Sequence, residues 1–183
     1  MGRLPLQNPT TATGNVKAIF DGLQKALGVV PNMTRAMATS PSVLQGYAQF
    51  SGALAGGSLA PGLREQIAIL TAEENSCSYC LSAHSVIGAK VGLSQNRISG
   101  ARHGEGGDAR STAGLKFARA VLTSKGGVSD ADFQAVRAAG FSDAEVAEII
   151  AHVALNVLTN YFNRAAAVEI DFPVVRAKGD NHG

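Results

Sequence analysis

Apolar residues recur at helical spacing along almost the whole chain, and most of these runs stop at a glycine. In residues 14–27, Val16, Ile19, Phe20, Leu23 and Leu27 share one face, and Gly28 follows as the stop. After the turn VVPN, Asn32 is placed to cap a short helix over Met33, Ala36 and Met37. Ser40-Pro41 reads as the N-cap and first residue of a helix reaching about Gly56, and Pro61 opens another that turns Leu63, Ile67 and Leu70 inward. Asn75 or Ser76 caps the next, which runs to about Val91 before Gly92. Ser94 begins a short helix that dissolves into ARHGEGGDAR, the most mobile-looking loop. Helices are also expected over 111–125 and 129–139. Ser142-Asp143-Ala144-Glu145 is a capping box that opens the longest helix, extending to about Val168. No run of strand period competes, and EIDFPVV reads as an extended tail. The expectation is an all-α fold, one domain over 1–183 with a core of about 14–173 and flexible termini.

Charge narrows the function. The net charge is +2 and no block of Lys or Arg stands out, so neither nucleic acid nor a membrane surface is an expected partner. Charged residues make up 16%, low against the usual quarter or so, which points to surface hidden in a homo-oligomer. No apolar run approaches the roughly 18 residues of a membrane span. The opening MGRLPLQNPTTATGN lacks the basic start and apolar core of a signal peptide, and Leu6 stands where a myristoylation motif needs Ser or Thr. A cytoplasmic location is therefore expected, where thiols stay reduced unless they do redox chemistry or bind metal.

The two cysteines fall together, in SCSYCLSAH, with His84 close behind. On a helix Cys77, Cys80 and His84 lie at i, i+3 and i+7, on one face. A dithiol at that spacing closes to a disulfide with little backbone movement, and His84 can carry a proton near neutral pH. Cys77, in the first helical turn, is expected by position to be the more acidic thiol. Two other readings stand beside the redox one. Cys-x2-Cys-x3-His supplies three zinc ligands, but the fourth has no obvious source, since His103 stands in a glycine loop and His152 deep in the last helix. Two thiols packed as small hydrophobes are also common, although that leaves the neighbouring histidine without a reason. Glu65, twelve residues before Cys77, reads on its own as a solvated carboxylate. If its helix packs antiparallel to the cysteine helix, it can reach the dithiol.

The register Glu65-x11-Cys77-x2-Cys80-x3-His84 resembles the signature of the alkylhydroperoxidase AhpD-like proteins of the carboxymuconolactone decarboxylase superfamily. GVVPNMTRAMATSPSVLQGYAQFSGAL before it, GLSQNRI after it and NYFNRAAAVEIDFP at the end are similar to the peroxidase-related branch. The resemblance implies an AhpD-like helical domain with the CxxC at the N-terminus of a central helix. It implies a thiol peroxidase in which Cys80 attacks the peroxide and Cys77 resolves the sulfenic acid to a disulfide. Glu65 and His84 would form the proton relay, with no metal and no bound cofactor. A lipoyl-bearing or thioredoxin-like protein, or another external dithiol, would re-reduce the pair, and the subunits would assemble as trimers or hexamers.

Tyr79 departs from the best-known peroxidases of that family, which carry histidine between the cysteines. A phenol there can donate to sulfur or to a bound oxygen but is a poor base at neutral pH. His152, Asn156, Asn160 and Asn163 form a polar stripe on the last helix, read as a hydrogen-bonded seam between helices or subunits, or with His152 as a border of the thiol pocket. Met33 and Met37, one turn apart, read as core. Besides the peroxidase, the residues admit a general disulfide oxidoreductase and a redox-sensing interaction module.

Overall fold

The computed structural model describes residues 2–180, and among them the regular structure is nine helices with no strand. Gly14–Leu27 (α1) buries Phe20 and ends at Gly28, whose φ of 82° lets its N–H close on the Gln24 carbonyl. Asn32–Met37 (α2) is entered through Pro31. Asn32 is thus the first helical residue rather than its cap, and its N–H is received by the distant Asp171 carboxylate. Pro41–Ala55 (α3) and Pro61–Glu74 (α4) both begin on a proline, where the missing N–H costs nothing.

The hub is α4. Every residue from Gln66 to Ala72 is buried, because α5, α6, α7 and α9 pack around this helix. Ser78–Lys90 (α5) folds back on α4, and Gln95–Arg102 (α6), capped by Ser94, closes the far end. Ala109–Thr123 (α7), Asp130–Ala138 (α8) and Asp143–Ala166 (α9) complete the set, the last two opened by the capping boxes Ser129/Asp132 and Ser142/Glu145. At 24 residues α9 spans about 36 Å and lies against α3, α4, α5, α7 and α8. It stops at Ala166, two residues short of the expected end, because Ala167 adopts the left-handed conformation with φ 48°. The core runs through the middle of this packing, with Phe20, Leu44, Ile67, Leu81, Leu115 and Ile149 almost fully enclosed.

Two expectations are corrected. The loop after α6 is pinned: Gln66 donates to the Gly106 carbonyl, Thr112 receives the Gly106 N–H, Arg119 holds the His103 carbonyl, and Arg97 pairs with Asp108. The terminal segments are tied down as well. Arg3 N–H reaches the Ala166 carbonyl, and Gln7 N–H that of Arg35. The tail crosses α5 with Val175 and Ala177 N–H donating to Ser82 and Ser78, while the Asp180 carboxylate accepts from the Ser78 N–H. Residues 181–183, part of the tail expected to be flexible, lie outside the described residues, as does Met1 of the myristoylation reading. No helix among the described residues is long and apolar enough to cross a membrane.

Candidate active site

The turn over residues 75–77 reverses the chain between α4 and α5 and sets Glu65 opposite His84. The Glu65 carboxylate meets His84 Nδ1 at 2.8 Å, and both side chains are largely buried. Burial alone would lower the His84 pKa, but the Glu65 charge and hydrogen bond, helped by negative charge on Cys80, raise it above the ordinary value. The imidazolium is thereby favoured.

Helix α5 begins at Ser78, so Cys77 is its N-cap rather than a first-turn residue. Its sulfur accepts the Cys80 N–H at 3.4 Å, while its thiol lies 2.7 Å from the Cys80 sulfur, both cysteines being reduced and buried. Cys80 occupies the position the dipole argument had given to Cys77. Burial resists ionising Cys80, yet hydrogen bonds from Cys77 and Asn163, the charge of His84 and the Asn160 amide together bring its pKa down to about 7. The Cys77 thiol is pushed up instead, first because its hydrogen is engaged with Cys80 and then by burial. The order of acidity expected from helix position alone is reversed, because the helix starts one residue later and because donors converge on the second sulfur.

Asn163, expected as part of a hydrogen-bonded seam, also reaches the thiols. Its Nδ2 lies 3.1 Å from Cys80 Sγ and 3.2 Å from Met33 Sδ. Its neighbour Asn160 accepts from Asn75 Nδ2 at 3.0 Å, tying α9 to the α4–α5 turn. The polar stripe is therefore a wall of the thiol site as well as a seam within the chain. The available signal was the four-four-three spacing, which puts all four residues on the buried face of α9.

Tyr79 turns its hydroxyl away from the sulfurs. The oxygen accepts the Met33 N–H at 3.0 Å, interacts with Asp171, and the ring sits edge-on to Phe172. Burial and the Asp171 charge raise its pKa further, so the phenol is an anchor between α5, α2 and the tail rather than a donor to sulfur.

A cavity of about 220 Å³ opens against these groups. Cys80, His84, Glu65, Asn163 and His152 line it together with the ring of Tyr79; Met33, expected only in the core, lines it too. Most of the remaining lining is aliphatic or aromatic, including Leu23, Leu27, Ile87 and Phe172. His152 is buried, with its pKa lowered first by burial and then by the nearby Arg64 charge. His103 caps the end of α6, outside the cavity. Among the described residues no group of three or more His, Cys, Asp or Glu gathers as metal ligands.

Residues 41–120, from α3 through most of α7, match the carboxymuconolactone decarboxylase family. No curated protein sequence matches the chain significantly. Among solved structures, the alkylhydroperoxidase AhpD core of a peroxidase-related protein from Ralstonia eutropha JMP134 superposes with a TM-score of 0.83 at 27% identity, covering 93% of this chain and 92% of that one. A peroxidase-related protein from Silicibacter sp. TM1040 gives 0.80 at 24% identity over 98% and 92%. The debrominase Bmp8, solved as a cysteine-to-alanine variant in complex with 2,3,4-tribromopyrrole, gives 0.79 at 22% identity over 92% and 91%, a likeness of fold alone. In its helical fold, in the family match over residues 41–120 and in the register of Glu65, Cys77, Cys80 and His84, the chain is similar to the AhpD-like proteins of the carboxymuconolactone decarboxylase superfamily.

Proposed function

We propose that the protein is a thiol-dependent reductase of organic hydroperoxides. The observation that carries this reading is the pair of unlike thiols: Cys80 poised to ionise near pH 7, with the protonated Cys77 thiol against it, at the wall of a mostly apolar cavity. The Cys80 thiolate attacks the terminal peroxide oxygen, an S–O bond forms as the O–O bond breaks, and the alkoxide leaves. His84 holds Glu65 through Nδ1, so the proton that converts the alkoxide to the alcohol comes from Nε2. Cys80 is then a sulfenic acid. Cys77 attacks its sulfur, the S–S bond forms, the S–O bond breaks, and hydroxide leaves as water with the Cys77 proton.

Both cysteines are nearly inaccessible, at 1% and 3% exposure, which disfavours direct exchange with disulfides of folded proteins. The reading therefore includes an external dithiol slender enough to enter the cavity, a lipoyl arm or a similar small dithiol, which returns the two electrons. Two free thiols also suit a reducing compartment such as the cytoplasm.

Stopped-flow mixing of the reduced protein with cumene hydroperoxide, with dihydrolipoamide as donor, tests the reading. Repeated turnover that Cys80→Ser abolishes is expected, with Cys77→Ser stopping after one oxidation at a sulfenic acid. One stoichiometric oxidation in the wild type would make the protein a sensor, and unreacted peroxide with reduction of small disulfides would make it a general oxidoreductase.

A further inference from the structure

His152 is more than nine-tenths buried, lines the cavity, and its Nε2 has no hydrogen-bond partner. A buried nitrogen left in that state costs stability comparable to a lost hydrogen bond unless something in the cavity pairs with it. The charged groups around it are already engaged. Arg64 donates to the Leu54 and Ala55 carbonyls at the end of α3; Glu148 accepts the Ser58 and Leu59 N–H groups at 2.8 Å each; Glu65 holds His84. Two positive and two negative side chains act on His152, so the local field favours neither an anionic nor a cationic ligand group. A neutral oxygen fits.

Position along α9 adds a length. Asn163, at the reacting sulfur, lies eleven residues beyond His152, a rise of about 16 Å, and the cavity wall between them is made by Leu155, Asn156 and Thr159. We propose that His152 is a substrate-positioning residue whose Nε2 pairs with a neutral hydroxyl or carbonyl at the far end of an elongated aliphatic hydroperoxide, while the hydroperoxide meets Cys80. This rests on the peroxidase reading for the reacting end only. The contact at His152 is made to an oxygen outside the O–O bond that breaks, so it holds ground state and transition state alike and acts on KM.

The test uses linear alkyl hydroperoxides from hexyl to dodecyl, each paired with its ω-hydroxy counterpart, on the reduced full chain. At one length the ω-hydroxy compound is expected to be preferred about tenfold in kcat/KM, mainly through KM, the size of one buried hydrogen bond. His152→Leu should bring that ratio to about one, and His152→Gln, which keeps an amide in reach of the cavity, should restore part of it. Absence of a preference at every length, or a preference that His152→Leu leaves intact, overturns the proposal. Calorimetric binding of the matching α,ω-diols and plain alkanols separates the two readings. If peroxide is not consumed but diols bind about tenfold tighter through His152, the peroxidase reading falls and the His152 contact stands. Equal affinities for diol and alkanol overturn the contact, whatever the peroxide does.

Discussion

At Cys80 the Asn163 amide is one of the donors that favour the ionised sulfur, after the Cys77 thiol. Asn163 Nδ2 donates at 3.1 Å, while its Oδ1 has no partner to lose, so Asn163→Leu removes this donor together with its contact to Met33 Sδ. Hydrogen bonds to charged groups contribute about 1.5–3 kcal/mol, or about one to two pKa units. The variant should shift Cys80 upward by that amount and slow its alkylation by iodoacetamide at pH 7 roughly 5- to 50-fold. The Glu65–His84 pair sets the opposite limb. Thiolate is populated as pH rises through about 7, whereas the His84 proton is lost as pH rises through its elevated pKa. Peroxide reduction should therefore follow a bell, and Glu65→Gln, by letting the His84 pKa fall, should pull the alkaline limb to lower pH. A pH–rate series on both proteins checks this, and an unmoved alkaline limb would remove His84 as the proton donor. That Glu65 could reach the dithiol was legible only as a consequence of two adjacent helices packing antiparallel, and its role with His84 came from the family resemblance rather than from spacing. The contact of Asn163 with Cys80 spans 83 residues, and no local periodicity reports such a distance.

Elements were legible where the backbone needs a particular residue to start or stop. The capping boxes, the prolines opening α3 and α4, and Gly28 each mark a boundary through an unpaired N–H or a positive φ. Order outside the helices was not, because it comes from single long-range hydrogen bonds that leave no period. The glycine-rich loop after α6 shows the difference: its glycines permit close packing rather than motion. A Cβ added to Gly106 would come within 2.5 Å of the Thr112 nitrogen, at the start of α7. Gly106→Ala must push the loop off α7 and break the bond from Gln66, whose side chain is buried in the hub helix. The expected cost is about 1–3 kcal/mol, seen as a thermal midpoint lower by several degrees. A midpoint within a degree of wild type would mean that the loop yields freely. The Ser78 and Ser82 hydroxyls do for the tail what Gln66 does for this loop, and their value likewise appears only when chain segments about 95 residues apart meet.

For the molecule as a whole, the low share of charge finds a location on α9. Ala147, Ile150, Ala154, Leu158, Tyr161 and Ala165 are all exposed, follow one another at three- and four-residue steps, and include no polar side chain except the tyrosine hydroxyl. A solvated face of a helix this long would ordinarily carry charges, so the stripe argues for a protein partner. The neighbouring α3 adds exposed Val43 and Phe50. One helix face of about 36 Å by 10 Å is smaller than the ~800 Å² per partner of a stable interface, so α3 or the tail must contribute as well. The alanines let a second α9 approach closely, which favours another copy of this chain over an unrelated surface. Light scattering on a sizing column should give a multiple of 18.8 kDa for the wild type, with three or six copies expected from the family resemblance. Leu158→Glu with Tyr161→Glu should reduce it to a single chain, since two carboxylates would have to be buried unpaired. The stripe lies on the side of α9 away from Asn163 and His152, so thiol ionisation should survive dissociation. A wild type that runs as one chain at micromolar concentration would leave the stripe to a different partner.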